Sequence, residues 1–434
     1  MIKFLKKQPP VRLIAIGFMF VILLGSFLLM LPISLNEGIT INYIDSLYTS
    51  VSAVCITGLT TVEIGTTFSV FGRTVVILLV QVGGLGVATV GAGLIMLMGK
   101  KMDLKSRNLI HEAMNLDSGK VAVRFLKEVF FTTLIIEFIG AALSFIVFVQ
   151  DFEVPKAIGM SIFHAISAFN NAGFDILGLG NSLASYQDNV LFNLITVSLI
   201  ICGGLGFLVI KEICVKNIHV KKYSLHAKIV LIVTAVLICS GTFLVKICEG
   251  GNITWLGAFF SSVTARTAGF ATFSFGEFTN AGLMVMIVLM FIGASSGSTG
   301  GGIKTTTAFV IVKSIIASAR KREPKIFKYS ISSSTSKRAF VIAFIGIFVI
   351  SFATFLVCLM EPMIGFIDVL FEMVSAFATV GLSTGISSGL TVGSKLVFIS
   401  VMYIGRLGPF AVASLWSFGK GSLVRYPEGN IAIG

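Results

Sequence analysis

Cys55-Ile56-Thr57-Gly58-Leu59 closes an apolar stretch, 45–56, that is too short to cross a bilayer. The same ending returns three times. Asn170-Asn171-Ala172-Gly173-Phe174 closes 157–170, Arg266-Thr267-Ala268-Gly269-Phe270 closes 255–266, and Ala378-Thr379-Val380-Gly381-Leu382 closes 367–378. About 12 residues of helix cover roughly 18 Å, well short of the roughly 30 Å hydrocarbon core. Each stretch is therefore predicted to enter the membrane and turn back. Ser52-Ala53, Ser167-Ala168 and Ser375-Ala376 stand at one distance before their glycines, and Val263-Thr264 breaks that detail. Asp45 and Asp368, each 13 residues ahead of its glycine, are predicted as acidic N-caps.

Longer apolar runs flank the four stretches, near 12–32, 74–98, 129–149, 190–215, 228–247, 282–303, 339–359 and 394–418. They divide the chain into units 1–100, 101–215, 216–320 and 321–434. A second glycine marks the later run of each unit: Gly83, Gly203, Gly293 and Gly405 follow the turn glycines by 25, 30, 24 and 24 residues. Two crossings per unit give all four units one orientation, so they can ring an axis along the membrane normal. Inverted repeats would alternate. The expectation is an all-α integral membrane protein: four parallel-oriented repeats of helix, re-entrant helix and helix, eight transmembrane helices in all, around one central pore.

Composition agrees. The 434 residues are 55% hydrophobic and 12% charged, against about 25% charged in soluble domains. The run from Arg12 is read as a span and not as a cleaved signal. The net charge of +13 is read as positive-inside bias and not as nucleic-acid binding. Basic residues gather at 3–12, 100–127, 211–228, 304–338 and 420–425. These segments are assigned to the cytoplasm together with both termini, and the apolar faces to membrane lipid. The six cysteines have no paired spacing and are expected to be buried thiols.

The four turns carry the chemistry. A short helix aims the negative end of its dipole at the axis, and a glycine of positive φ lets backbone carbonyls point inward. Four such turns stack oxygens that replace the water of a monovalent cation. The candidate filter is Ile56, Thr57 and Gly58; Asn171, Ala172 and Gly173; Thr267, Ala268 and Gly269; Thr379, Val380 and Gly381. No tight carboxylate ring is present, which argues against a divalent-cation filter. The alternative is that the glycines serve only close helix packing.

The later run of unit three is interrupted by Gly-Ala-Ser-Ser-Gly-Ser-Thr-Gly-Gly-Gly, 293–302. Glycine costs a helix about 1 kcal/mol relative to alanine, so its five glycines break the helix locally. Irregular backbone at this depth must line a cavity or be buried in protein. The expectation is a gating plug beneath the filter, against a permanently unwound linker. Arg406, near the middle of the last run, is costly there and is expected to bond to carbonyls or hydroxyls of that loop, against a structural bond to another helix. Arg266 is expected behind the filter, bonded to a re-entrant helix. Glu137 is read as an ion site or a satisfied packing contact, and His164 as a packing residue. Gly302-Ile303-Lys304-Thr305 lacks the Gly-Lys-Thr order and the preceding strand of a phosphate loop. No catalytic triad, metal-ligand cluster or carboxylate pair is present, so an enzyme is not expected.

On the four turns, the Gly/Ser-rich break and Arg406, the chain resembles the Trk/Ktr/HKT superfamily of potassium transporters, most closely the KtrB-type membrane subunits of bacterial Ktr systems. The likeness extends over essentially the whole chain. It implies potassium bound at the backbone carbonyls of Thr57, Asn171, Thr267 and Thr379. It also implies a gate formed by Ser295, Ser296, Gly297, Ser298, Thr299, Gly300, Gly301 and Gly302, contacted by Arg406. All four turn glycines are the version associated with potassium. The resemblance further implies a homodimer in a bacterial plasma membrane, a cytosolic ring of KtrA-like nucleotide-binding regulator subunits, no covalent cofactor, and sodium as coupling or activating ion; no residue pattern here marks a sodium site. Two other functions stay open: a secondary cation symporter working by alternating access around the broken helix, and a scaffold with a vestigial filter.

Overall fold

Helix N-caps set the frame of the computed structural model, which describes residues 10–87, 89–90, 122–177, 182–216 and 219–408. Ser69, Asn189, Thr279 and Thr391 each accept a backbone N–H in the first turn that follows, satisfying donors a helix start would otherwise leave bare. They open α3 (Val70–Leu85), α6 (Val190–Leu205), α10 (Asn280–Phe291) and α14 (Val392–Leu407). Two of these starts share a further device at one spacing. Glu249 accepts from the Thr279 N–H at 3.0 Å, and Glu361 from the Thr391 N–H at 2.7 Å.

Among the described residues, four helices are long and apolar enough to cross a membrane: α1 (Pro10–Met30), α4 (Ala122–Phe148), α8 (Leu225–Glu249) and α12 (Ser333–Met360). They expose large apolar side chains outward, Phe138 at 75% and Phe344 at 71% among them, a surface that a hydrocarbon solvent covers. Between each long helix and its capped successor lies a short one: α2 (Tyr43–Cys55), α5 (Val154–Phe169), α9 (Trp255–Thr264) and α13 (Phe366–Ala378). Asp45 and Asp368 sit in the first turns of α2 and α13, not at the N-caps, which are Asn42 and Gly365. Their charges face the positive helix end from one turn inside it.

Packing closes the set into a ring. Each long helix lies on the short helix of its own unit. Each capped helix lies on the short helix of the next: α3 on α5, α6 on α9, α10 on α13, and α14 back on α2. The seam between the first and last units is an ion pair, Lys395 Nζ to Asp45 Oδ1 at 2.7 Å, with 11% of each side chain exposed. Thr61 Oγ1 donates to the same oxygen at 2.7 Å.

Two features depart from the sequence reading. The run 190–215 is two helices, α6 and α7 (Phe207–Lys216), bent by 103° at Gly206. Gly206 has φ 89°, and the break is occupied: the Phe207 N–H donates to the Gly297 carbonyl at 3.1 Å. Of the cysteines, only Cys55 is buried, and Cys214 and Cys239 are exposed. α11 (Thr305–Ala319) leads through a small hairpin, β1 (Lys325–Ile326) and β2 (Tyr329–Ser330), into α12. The basic residues at 3–7, 100–120 and 420–425 lie outside the described residues, as do both termini.

Candidate ion pathway

The C-terminus of each short helix gives way to one backbone pattern. Ile56 (φ 58°), Asn171 (57°), Thr267 (72°) and Thr379 (52°) are left-handed, and so, two residues on, are Gly58 (88°), Gly173 (68°), Gly269 (82°) and Gly381 (96°). Thr57, Ala172, Ala268 and Val380 stand between them with ordinary φ. Alternating handedness turns successive peptide planes so that like groups face one side. Hydroxyls from the short helices hold the turns. Ser52 and Ser375 accept the N–H of Gly58 and Gly381, each at 3.0 Å. Ser167 and Thr264 donate to the carbonyls of Phe174 and Phe270 at 2.8 and 2.7 Å. Thr264 thus does in unit three what Ser167 does in unit two, which the exception noted at Val263-Thr264 concealed.

The turns meet around one axis. A methyl placed on Gly58 would lie 2.5 Å from the Ala172 carbonyl oxygen, on Gly173 2.7 Å from Ala268, on Gly269 2.4 Å from Val380, and on Gly381 2.1 Å from Thr57. Those contacts run unit one to two to three to four to one. The register differs from the expected ligand set: Thr57 aligns with Ala172, Ala268 and Val380, while Ile56 aligns with Asn171, Thr267 and Thr379. All four glycines open into a cavity of ≈ 710 Å³, whose wall also carries Glu63, Asp175 and Glu277.

Behind the turns, Gly83, Gly203 and Gly405 press against the carbonyls of Val54, Phe169 and Phe377, where a methyl would lie 2.3, 1.9 and 1.9 Å away. The capped helices can reach the ends of the short helices only without side chains there. Unit three differs. Gly293 meets the Gly301 carbonyl instead, at 2.6 Å, because the chain between α10 and α11 turns in beneath the ring.

That loop is held from every side. Its Ser295 and Thr299 N–H groups donate to Gly204 and Gly203 carbonyls at 3.1 and 3.4 Å. The Gly301 N–H donates to Thr379 Oγ1 at 3.0 Å. Gly300 touches Thr267, where a methyl would lie 2.1 Å from Oγ1. Ser296 Oγ and Thr306 Oγ1 are 3.0 Å apart, and Ser298 Oγ donates to the Ser295 carbonyl at 2.6 Å. Gly297 and Gly302 have positive φ. Arg406 donates through Nη1 to the Thr299 carbonyl and through Nη2 to the Gly83 carbonyl. Lys304, which the sequence reading groups with the cytoplasmic basic residues and rejects as a phosphate-loop lysine, donates to the Gly300 carbonyl at 2.6 Å. Its signal was a lysine at the end of an apolar stretch. These partners satisfy backbone that a bilayer cannot.

Arg266 is buried as expected, but its Nη2 donates to Thr234 on the long helix α8 at 3.2 Å, not to a short helix. His164 packs edge-on to Phe148 and bonds Thr196 at 3.0 Å. Glu137 is bonded by Gln81 and Asn170. Among the described residues no group of His, Cys, Asp and Glu has metal-site geometry.

The long apolar helices and the four like turns mark a membrane protein, and comparison with known proteins gives its family. The family model described as TrkH, cation transport protein, matches residues 18–420, and the chain belongs to that Trk/Ktr family of membrane transporters, which are not enzymes. Ktr system potassium uptake protein B of Bacillus subtilis is 38% identical over 100% of this chain and 98% of its own length. Potassium/sodium uptake protein NtpJ of Enterococcus hirae is 36% identical, over 99% and 98%. The crystal structure of the potassium transporter TrkH from Vibrio parahaemolyticus superposes with a TM-score of 0.75 at 16% identity, covering 95% of this chain and 86% of that one. This last likeness bears on the fold.

Proposed function

We propose that the chain takes up potassium across the plasma membrane through a filter of backbone carbonyls, formed by four like-oriented repeats with eight spans. The observation that carries the reading is the closed circle of turns, in which each glycine abuts the carbonyl of Thr57, Ala172, Ala268 or Val380 in the neighbouring unit. Main-chain oxygens ringed about one axis can substitute for an ion's hydration shell. Potassium is chosen because relatives at 38% and 36% identity are named for its uptake. Sodium is included as a coupling or activating ion because the Enterococcus hirae relative is named for both ions.

The loop 293–302 acts as the gate and Arg406 as its latch. The loop lies directly under Thr267 and Thr379, so an ion leaving the filter inward meets it first. Opening requires the Arg406 and Lys304 contacts to yield. A homodimer and a separate cytosolic nucleotide-binding ring complete the reading. Inward transfer of one charge gains about 2.3 kcal/mol per 100 mV of inside-negative potential, so uptake needs no ATP hydrolysis by this chain. The test is rubidium uptake into liposomes, with sodium and regulator added or withheld. Fast, weakly temperature-dependent flux supports a pore; slow turnover strictly coupled to sodium points to alternating access and overturns it.

A further inference from the structure

The ring of turns is not braced alike in its four quarters. Three residues before the turn glycines stand Cys55, Asn170, Arg266 and Ala378. All are buried. In the first and fourth quarters a small side chain fills the space. In the second, Asn170 is the last right-handed residue (φ −76°, ψ −2°) before the backbone inverts at Asn171, and its amide is gripped from two helices. Nδ2 donates to Glu137 Oε1 on α4 at 3.0 Å and to Gln81 Oε1 on α3 at 2.8 Å. Gln81 Nε2 in turn donates to Glu137 Oε2 at 3.3 Å. Gly84 leaves room for the arrangement, since a methyl there would lie 1.9 Å from Asn170 Oδ1.

Glu137 is only 6% exposed and forms no ion pair among the described residues. A carboxylate at membrane depth is expensive and usually tied to function. Here its two oxygens accept from two amides that belong to different units, so it fixes the orientation of both. It stands behind the turn and not in the ion path.

We propose that Glu137 is a positioning residue that sets the second filter turn through Asn170 and thereby sharpens discrimination between potassium and sodium. The inference rests on the filter reading above. Discrimination by carbonyls depends on how firmly their spacing is held and how many face the ion. The second turn inverts handedness at the non-glycine Asn171, and the hydrogen bonds of the Asn170 side chain restrain the residue that precedes it. The Asn170 side chain carries this constraint, and Glu137 supplies one of its acceptors beside Gln81 Oε1 and the Ile166 carbonyl at 2.9 Å. Glutamine at 137 presents a donor where Gln81 Nε2 now donates, so the amides must reorient and Asn170 loses an acceptor.

The test is competitive uptake of potassium and sodium into liposomes by purified Glu137→Gln, Asn170→Ala and the double variant. The expected result is a potassium preference reduced by roughly fivefold or more in each single variant, a coupling of ordinary size for groups in one network. The double variant should lose no more than Asn170→Ala alone, because Glu137 acts through Asn170. A wild-type preference in Glu137→Gln, whatever its rate, overturns the proposal and leaves a purely structural role. Losses that add in the double variant overturn it as well. If Glu137→Gln yields no monodisperse protein, Gln81→Leu carries the test: a smaller loss in the same direction supports the brace, and an unchanged preference refutes it. A wild-type protein that does not discriminate at all would instead refute the filter reading.

Discussion

Removing Arg406 should open the pathway. Its guanidinium binds the Thr299 carbonyl of the loop and the Gly83 carbonyl of α3, so it ties the loop to the first unit. A hydrogen bond to a charged group contributes about 1.5–3 kcal/mol, and the two together about 3–6. Each 1.4 kcal/mol is tenfold in a population. Arg406→Ala therefore shifts the ratio of displaced to seated loop by about 10² to 10⁴. The lower end is expected, because Lys304 still holds the Gly300 carbonyl at 2.6 Å and only contacts that differ between the two states count. Removing a half-buried cation also lowers the electrostatic barrier to another one. Rubidium flux into liposomes from monodisperse Arg406→Ala protein should rise, and Arg406→Lys should fall between the two. Flux equal to wild type would refute the latch. A drop in flux with an unchanged melting temperature would refute it too.

Other parts of the structure make their own predictions. Gly58→Ser and Gly269→Ser should abolish potassium uptake at normal membrane expression, since a Cβ there would lie 2.5 and 2.4 Å from carbonyls of the next unit, besides the about 1–2 kcal/mol a left-handed backbone costs other residues; retained uptake would mean a vestigial ring. Lys395→Met leaves Asp45 nearly buried without its cation and should cost about 3–5 kcal/mol, read as a lower unfolding temperature in detergent. Adding Asp45→Asn should recover most of that loss, and no recovery would show that the seam is not an ion pair in energetic terms. Asp175→Asn removes a charge from the wall of the cavity above the turns. It should raise the half-saturating potassium concentration at low ionic strength, leave the maximal rate alone, and converge on wild type in high salt; a shift that ignores salt would count against steering.

The sequence alone located the four short helices and the glycines that follow them. Apolar length separates spans from half-spans, and a glycine at a matched offset marks each turn, because both are local consequences of hydrophobic thickness and of backbone sterics. The four short helices lie within a few residues of their predicted bounds for that reason. The 293–302 break was legible in the same way, as glycine content no helix tolerates. What the sequence could not carry is any relation between units. Ile56 shares its left-handed conformation with Asn171, Thr267 and Thr379 although nothing about an isoleucine announces it; the turn imposes it. The bend at Gly206 exists because the loop of another unit fills it. Glu137 meets Gln81 across a unit boundary, by proximity that the closed ring creates, whereas the Glu137 contact with Asn170 and the Arg266 contact with Thr234 come from helix packing within one unit. Local rules act over one turn of helix, whereas the ring is closed by residues hundreds of positions apart, as Asp45 and Lys395 are.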